Sequence, residues 1–150
     1  MREKISIEDG FQVIMLFFQS FWYNFLKSKA IKTLSKDLVE DNDFFFLTIC
    51  MGSSADKYFE EVIERRMKTP PVKQHDGLVV DDKMLFQLSI DFCEYFNERF
   101  QKKGNDSLSF AIDWLEDMRK NPQDHAKEWN MWNQVIIEVT EHGEKSLGFF

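Results

Sequence analysis

Three histidines and two cysteines are the side chains of this sequence that are best suited to metal binding or nucleophilic catalysis. His75-Asp76 spells the dyad of metal-dependent HD phosphohydrolases, but that site needs an earlier histidine and none precedes His75. His142 lies four residues after Glu138, a spacing compatible with metal ligation on a helix, yet no third or fourth ligand accompanies the pair. His125 falls in the first turn of the last predicted helix and has no assigned role. We therefore expect no metal site, no catalytic residue and no cofactor.

Carboxylates at helical spacing supply half of a magnesium motif. Glu60-Glu61 and Glu64 form the EExxE half that MazG-type pyrophosphatases use, but no ExxD half follows, and Asp113-xx-Glu116 has the reverse order. Half of the motif cannot supply the near-octahedral oxygen ligation that magnesium demands. We therefore expect that the protein is not an enzyme. An all-helical metal-dependent nucleotide hydrolase, MazG-like or HD-like, is the alternative.

The net charge is −7 and the isoelectric point is near 5.0. Nucleic-acid binding and adhesion to an anionic membrane both need a basic face, so neither is the expected main task. Residues 1–80 hold 12 acidic and 11 basic side chains, whereas residues 81–150 hold 14 acidic and 8 basic ones. Nearly all of the excess acidity therefore belongs to the C-terminal half.

Six carboxylates and one tryptophan mark the most informative stretch of this acidic half. They recur at spacings of three and four residues on two consecutive predicted helices, so each set faces one side of its helix. Such rows of carboxylates are either a plain solvated face or a surface that attracts and selects a basic partner. The tryptophan among them is either a core residue or an anchor in an interface. The residues predicted to bind a partner are Asp91, Glu94, Glu98, Asp113, Trp114, Glu116 and Asp117.

Apolar residues at helical spacing predict the elements that position these side chains. The first helix is expected to begin at a Ser6 cap and to run to about Leu34, and it is apolar nearly all round, so other helices must surround it. Further helices are predicted over 55–67 after Ser54, from Asp81 or Asp82 to about Lys103, from an Asp106 cap to the break at Asn121-Pro122, and from there to Gly143.

Two segments have alternative interpretations. The apolar run within 43–51 fits a buried helix or a buried strand, and 134–150 fits a helix or a hairpin around Gly143. We favour the helix in both. The predicted fold is an all-α, compact bundle of about six helices around an aromatic-rich core, in one domain over 1–150 with a long proline-containing loop at 68–77. Cys50 and Cys93 lie in apolar segments, which predicts free buried thiols and a cytoplasmic location.

The C-terminal part, FAIDWLEDMRKNPQDHAKEWNMWNQVIIEVTEHG, is similar to small acidic immunity proteins of bacterial contact-dependent growth inhibition and related polymorphic-toxin systems. The likeness covers about a third of the chain and lies in the spacing of Trp114, Asn121-Pro122, Glu128-Trp129 and Trp132. It implies an antidote that binds a cognate toxin, often a nuclease with a basic active site. We predict that the acidic surface covers that active site. A helical adaptor or regulatory subunit is the other alternative.

Overall fold

The computed structural model describes residues 4–52, 54–67, 78–100 and 107–142. Helix α1 (Ile7–Phe21) begins after Ser6, whose side-chain oxygen accepts a hydrogen bond from the backbone N–H of Asp9 at 3.2 Å. The helix continues through a π-helical turn (Trp22–Leu26) into α2 (Lys27–Thr33). The predicted first helix and its cap are confirmed, and the π-helical turn is an addition that the apolar pattern does not reveal.

Helix α3 (Lys36–Phe44) runs into a second π-helical turn (Phe45–Ile49). Residues 43–49 are thus helical, and Phe45 and Phe46 within them are both buried. The Phe46 ring stacks on Trp22, with centroids 5.3 Å apart. The helical interpretation of this apolar run is therefore correct, and the strand alternative is wrong.

Helix α4 (Ala55–Met67) has the predicted bounds, and α5 (Asp82–Phe100) begins where it was predicted to begin. Asp81 caps α5, because its Oδ1 accepts a hydrogen bond from the backbone N–H of Met84 at 2.7 Å. The proline-containing loop predicted at 68–77 and the predicted end of α5 near Lys103 lie outside the described residues.

A short antiparallel ladder joins the starts of α1 and α5. Strand β1 (Ile5–Ser6) pairs with β2 (Val79–Val80), with Ile5 opposite Val80. The backbone N–H of Ile7 extends the ladder by donating to the carbonyl oxygen of Leu78 at 3.0 Å. This pairing could not be predicted from the sequence, because two-residue strands are too short to show an alternating pattern.

The C-terminal part consists of α6 (Ser109–Lys120), a 3₁₀ turn (Pro122–His125), α7 (Ala126–Ile137) and a third π-helical turn (Glu138–His142). The predicted break at Asn121-Pro122 is confirmed. The hairpin alternative is wrong for 134–142, which are helical, and 143–150 lie outside the described residues.

The start of α6 differs from its prediction. Leu108 occupies the N-cap position without a side-chain cap, and the predicted cap, Asp106, lies outside the described residues. The backbone N–H of Leu108 donates to Oδ1 of Asn97 on α5 at 3.0 Å. A hydrogen bond from a neighbouring helix is therefore found at the start of α6, where a local cap was expected.

Helix α1 packs against α5 and α7 through aromatic side chains. The ring of Phe17 stacks on Phe21 and meets Trp132 of α7 edge-on, with centroids 5.0 Å apart in both pairs. Phe18 meets Phe92 of α5 at 6.2 Å. The predicted fold class, an all-α bundle of about six helices around an aromatic-rich core, is confirmed.

Replacing Phe17 should be far more damaging than replacing Phe44. Phe17 has no exposed surface, whereas Phe44 is 51% exposed. We expect Phe17→Ala to lower the free energy of unfolding by about 3–5 kcal/mol and Phe44→Ala by less than about 1 kcal/mol, as measured by urea denaturation. Similar losses for the two variants would contradict the packing described here.

Candidate protein-binding site

The acidic row predicted on α5 begins with Asp91, which is held by an arginine of α4. Arg66 donates to both carboxylate oxygens of Asp91, at 2.6 and 2.7 Å, and Gln87 donates to Oδ1 at 3.0 Å. The Asp91 side chain is only 14% exposed. Its charge is therefore matched within the chain, and Asp91 fixes α4 against α5.

Further along α5, Glu94 and Glu98 are exposed. Glu98 lies 3.6 Å from Arg65 in an ion pair whose side chains are more than half exposed, so water and salt screen it strongly. A groove with a volume of about 320 Å³ lies between α4 and α5 beside these acids. It is lined by Val62, Arg65, Arg66, Asp91, Glu94, Tyr95 and Glu98.

Tyr95 forms the floor of this groove and is fixed by charged groups. The guanidinium carbons of Arg65 and Arg99 lie 4.7 and 4.6 Å from the centre of the Tyr95 ring, within the range of cation–π attraction. The Tyr95 hydroxyl donates to Glu61, which also pairs with Arg99 at 3.2 Å. Glu61, part of the half motif for magnesium, is thus engaged with α5.

The surroundings of Glu94 raise the pKa of its carboxyl group. Although the side chain is largely exposed, its partial burial raises the pKa most, and the neighbouring carboxylates of Asp91, Glu116 and Glu98 raise it further, whereas Arg66 acts in the opposite direction. The ionised form of Glu94 is therefore disfavoured by its surroundings. A cation brought to this face would relieve that cost.

The acidic row on α6 lies close to the α5 row at Glu116, whose negative charge raises the pKa of Glu94. Glu116 pairs with Arg119, and Arg119 also donates to Gln87 of α5. Asp113 is exposed, and no ion pair involves it among the described residues. The two predicted rows are therefore brought together on adjoining helices, with Arg119 between them.

Asp117 belongs to a different cluster, centred on His125. The two imidazole nitrogens of His125 lie 2.5 Å from Asp117 Oδ2 and from Glu128 Oε2. Asn121 donates to the other oxygen of Asp117 at 2.7 Å. Since a neutral imidazole has only one N–H, two carboxylate partners favour the doubly protonated ring. This cluster joins α6, the 3₁₀ turn and α7.

Trp114 contributes to the same cluster. Its Nε1–H donates to Glu128 Oε2 at 3.0 Å, and its ring meets His125 at 5.6 Å. The ammonium of Lys29, on α2, lies 4.8 Å from the centre of the indole. The predicted anchor is thus partly buried and already engaged by three groups within the chain.

The pKa shifts in the cluster follow from its geometry. Burial lowers the pKa of His125, but the hydrogen bonds to Asp117 and Glu128 outweigh that effect, so the net shift is upward. The hydrogen bond from His125 lowers the pKa of Asp117. Burial raises the pKa of Glu128, and the hydrogen bonds from His125 and Trp114 turn the net shift downward. A charged histidine between two carboxylates is consistent with all three directions.

Sequence reasoning did not identify His125 or the arginines that pair with the acidic rows. The spacing His125-xx-Glu128 was a usable signal, because residues three apart meet on one helical face. The contacts of Arg66 with Asp91 and of Lys29 with Trp114 join distant segments, so no local spacing could predict them. Among the other side chains considered for chemistry, His75 lies outside the described residues.

Within the described part of the chain, no group of three or more His, Cys, Asp or Glu side chains is arranged to hold a metal ion. Cys50 and Cys93 are free and buried, as predicted, and burial raises the pKa of both thiols. Of the helices described, none combines the length and the apolar character needed to cross a membrane.

Comparison with models of known protein families, with curated proteins and with solved structures gives no match to this chain.

The pKa of Glu94 should respond in opposite directions to two neutralising substitutions. Glu116→Gln removes a like charge and should lower the pKa, whereas Arg66→Gln removes an opposite charge and should raise it. Carboxyl ¹³C chemical shifts followed against pH measure both. An unchanged pKa in the two variants would show that the α5 and α6 rows do not interact.

Replacing His125 should reduce stability in a pH-dependent way. A raised histidine pKa stabilises the fold below the pKa of the unfolded state, about 6.5, and this contribution is lost as pH rises through the folded-state pKa. The difference in unfolding free energy between wild type and His125→Gln should therefore be largest near about pH 6 and shrink at higher pH.

Urea denaturation at a series of pH values measures that difference. Asp124→Asn is the control, because Asp124 is exposed in the same turn. A difference that grows as pH rises would indicate a neutral histidine and contradict the arrangement described.

Proposed function

We propose that the protein is an immunity protein that binds a cognate toxin, a nuclease, and blocks its basic active-site groove with an acidic surface. The observation that carries the proposal is the crowding of carboxylates around Glu94, where α5 and α6 adjoin. Partial burial and these like charges together disfavour the ionised form of Glu94 in the free protein. Basic side chains of a partner would remove that cost on binding, which favours a basic protein as the partner.

The seven predicted residues divide into two groups in this proposal. Asp91, Trp114 and Asp117 hold the helices in place through Arg66, Glu128 and His125. The charge offered to a partner comes from the exposed acids Glu94, Glu98 and Asp113. The partly exposed Glu116 of α6 adds to it. The first group gives the second a fixed geometry, and fixed charges lose less freedom on binding.

The mechanism that follows is stoichiometric inhibition. Acidic side chains would steer the encounter with a basic groove, raising the association rate at low salt. Once bound, the protein would occupy the space in which the toxin holds RNA or DNA, so substrate and antidote compete. An antidote of this kind acts where the toxin would act, in the cytoplasm.

The proposal predicts that a toxin gene lies beside this one, and a charge-reversal experiment with the toxin domain that it encodes tests the acidic surface. Glu94→Lys/Glu98→Lys should raise the dissociation constant about tenfold or more, mainly through slower association at low salt. The matched control is Glu40→Lys/Glu64→Lys, which changes the net charge equally at exposed positions on α3 and α4. Stopped-flow association and nuclease assays at two salt concentrations provide the readouts.

Each outcome has a defined meaning. Equal weakening by the two double variants would show that only the net charge matters and would reject this surface. Full retention of binding by Glu94→Lys/Glu98→Lys in a folded protein would reject it as well. If wild-type protein neither binds the neighbouring toxin domain nor protects its substrate, the proposed function is wrong.

A further inference from the structure

Helix α2 and its surroundings are basic, although the protein as a whole is acidic. No acidic residue occurs between Asp9 and Asp37, and the lysines within that interval are Lys27, Lys29, Lys32 and Lys36. A net charge of −7 for the whole chain is therefore compatible with one surface of the opposite sign.

The buried side of α2 determines which of its residues face solvent. Ala30 has no exposed surface, so it marks the side that packs on the core. At about 100° per residue, Ser28 and Lys32 lie on the opposite side of the helix, and both are exposed. Ile31 lies beside them and is 59% exposed. We define the α2 face as Lys27, Ser28, Lys29, Ile31 and Lys32.

The chain compensates the charges of the α2 face only in part. Lys27 pairs with Asp43 at 3.2 Å, and the ammonium of Lys29 lies 4.8 Å from the centre of the Trp114 ring. Lys32 is exposed, and no ion pair involves it among the described residues. An uncompensated positive charge therefore remains on this face.

The α2 face adjoins the acidic helix α6 of the same chain. Lys29 contacts Trp114 of α6, and the residue before Trp114 is the exposed carboxylate of Asp113. Trp114 thus lies at a boundary between a basic helix and an acidic one. Adjoining surfaces of opposite charge are self-complementary, because a 180° rotation about an axis at their boundary places each surface against its opposite.

We propose that two copies of this chain form a symmetric dimer in which the α2 face of each copy covers Asp113 and the adjoining acidic surface of the other. Charge complementarity points to a second copy as the occupant, because the basic face and the acidic surface occur on the same molecule. The contact would also remove the exposed side chain of Ile31 from water.

The dimer would regulate the acidic surface, and this part of the inference rests on the proposed function. A toxin that binds the acidic surface must displace the second copy, so dimer and toxin complex compete for Asp113. By mass action, the apparent affinity for the toxin should then fall as the concentration of free protein rises.

Sedimentation velocity of the full chain over a range of concentrations measures the dimer. We expect a monomer–dimer equilibrium that shifts towards the monomer at high salt, because the contacts join exposed charges. Lys32→Glu and Asp113→Lys should each raise the dimer dissociation constant about tenfold or more, since each substitution occurs twice in a symmetric dimer. Lys57→Glu and Glu64→Lys are the matched controls, because they change the net charge equally at exposed positions on α4.

A charge exchange is the sharpest test of the arrangement. Lys32→Glu brings an acid close to Asp113 of the second copy, and Asp113→Lys brings a base close to Lys32, so each variant alone is repelled by its own copy. In an equimolar mixture of the two variants both contacts become attractive, and a heterodimer should form. The double variant Lys32→Glu/Asp113→Lys should dimerise with itself for the same reason.

Several outcomes would overturn the inference. Wild-type protein that stays monomeric up to about 1 mM is one, and equal effects of Lys32→Glu and Lys57→Glu are another. A mixture that does not dimerise, or species larger than a dimer, would reject the two-fold arrangement. Binding of duplex RNA or of anionic vesicles by a monomeric wild type, lost in Lys32→Glu, would show that a polyanion covers the α2 face instead.

Toxin binding separates this inference from the proposed function. Lys32→Glu should bind the toxin domain at least as tightly as wild type does, because it removes the competing copy. If the dimer forms but no toxin binds, the proposed function fails and the dimer stands. If the protein is monomeric and Glu94→Lys/Glu98→Lys weakens the toxin complex, the dimer inference fails and the proposed function stands.

Discussion

The structure depends on the burial of helix α1 and of the π-helical turn that continues it, a segment with no charged side chain between Gly10 and Leu26. Phe17, Phe21 and Trp22 have no exposed surface. A helix that is apolar on almost every side is stable in water only when other helices cover it, and α5 and α7 supply much of that cover. Their own aromatic rings meet those of α1, so one helix determines where the others must lie.

Most charged side chains lie outside this aromatic core, and several of them connect helices to one another. Arg66 with Asp91 joins α4 to α5, and Lys27 with Asp43 at 3.2 Å joins α2 to the end of α3. His125, which is buried, joins α6 to α7 through Asp117 and Glu128. Exposed ion pairs contribute little stability, so these contacts add to an arrangement that the aromatic packing already determines.

The helices could be predicted from sequence where the signals are local. The Ser6 cap and the break at Asn121-Pro122 involve residues three or fewer apart, and both predictions are confirmed. The pairing of Ile5 with Val80 could not be predicted, because it joins residues distant in sequence. The acidic rows could be located because their spacing is local, whereas Arg66, which neutralises Asp91 from 25 residues away, could not be identified as its partner. A count of charges along the chain does not show which charges meet.

Glu94 illustrates why this distinction matters for binding. Partial burial opposes ionisation of its carboxyl group, and the neighbouring carboxylates add to that effect. An acidic side chain that already has a partner, such as Asp91, has little to gain from a basic protein, because a new contact would replace an existing one. A carboxylate whose charge is poorly compensated gains the whole of the new interaction. The carboxylates most favourable for binding are therefore those whose negative charge is least compensated within the folded chain. They need not lie in the segment with the most acidic residues.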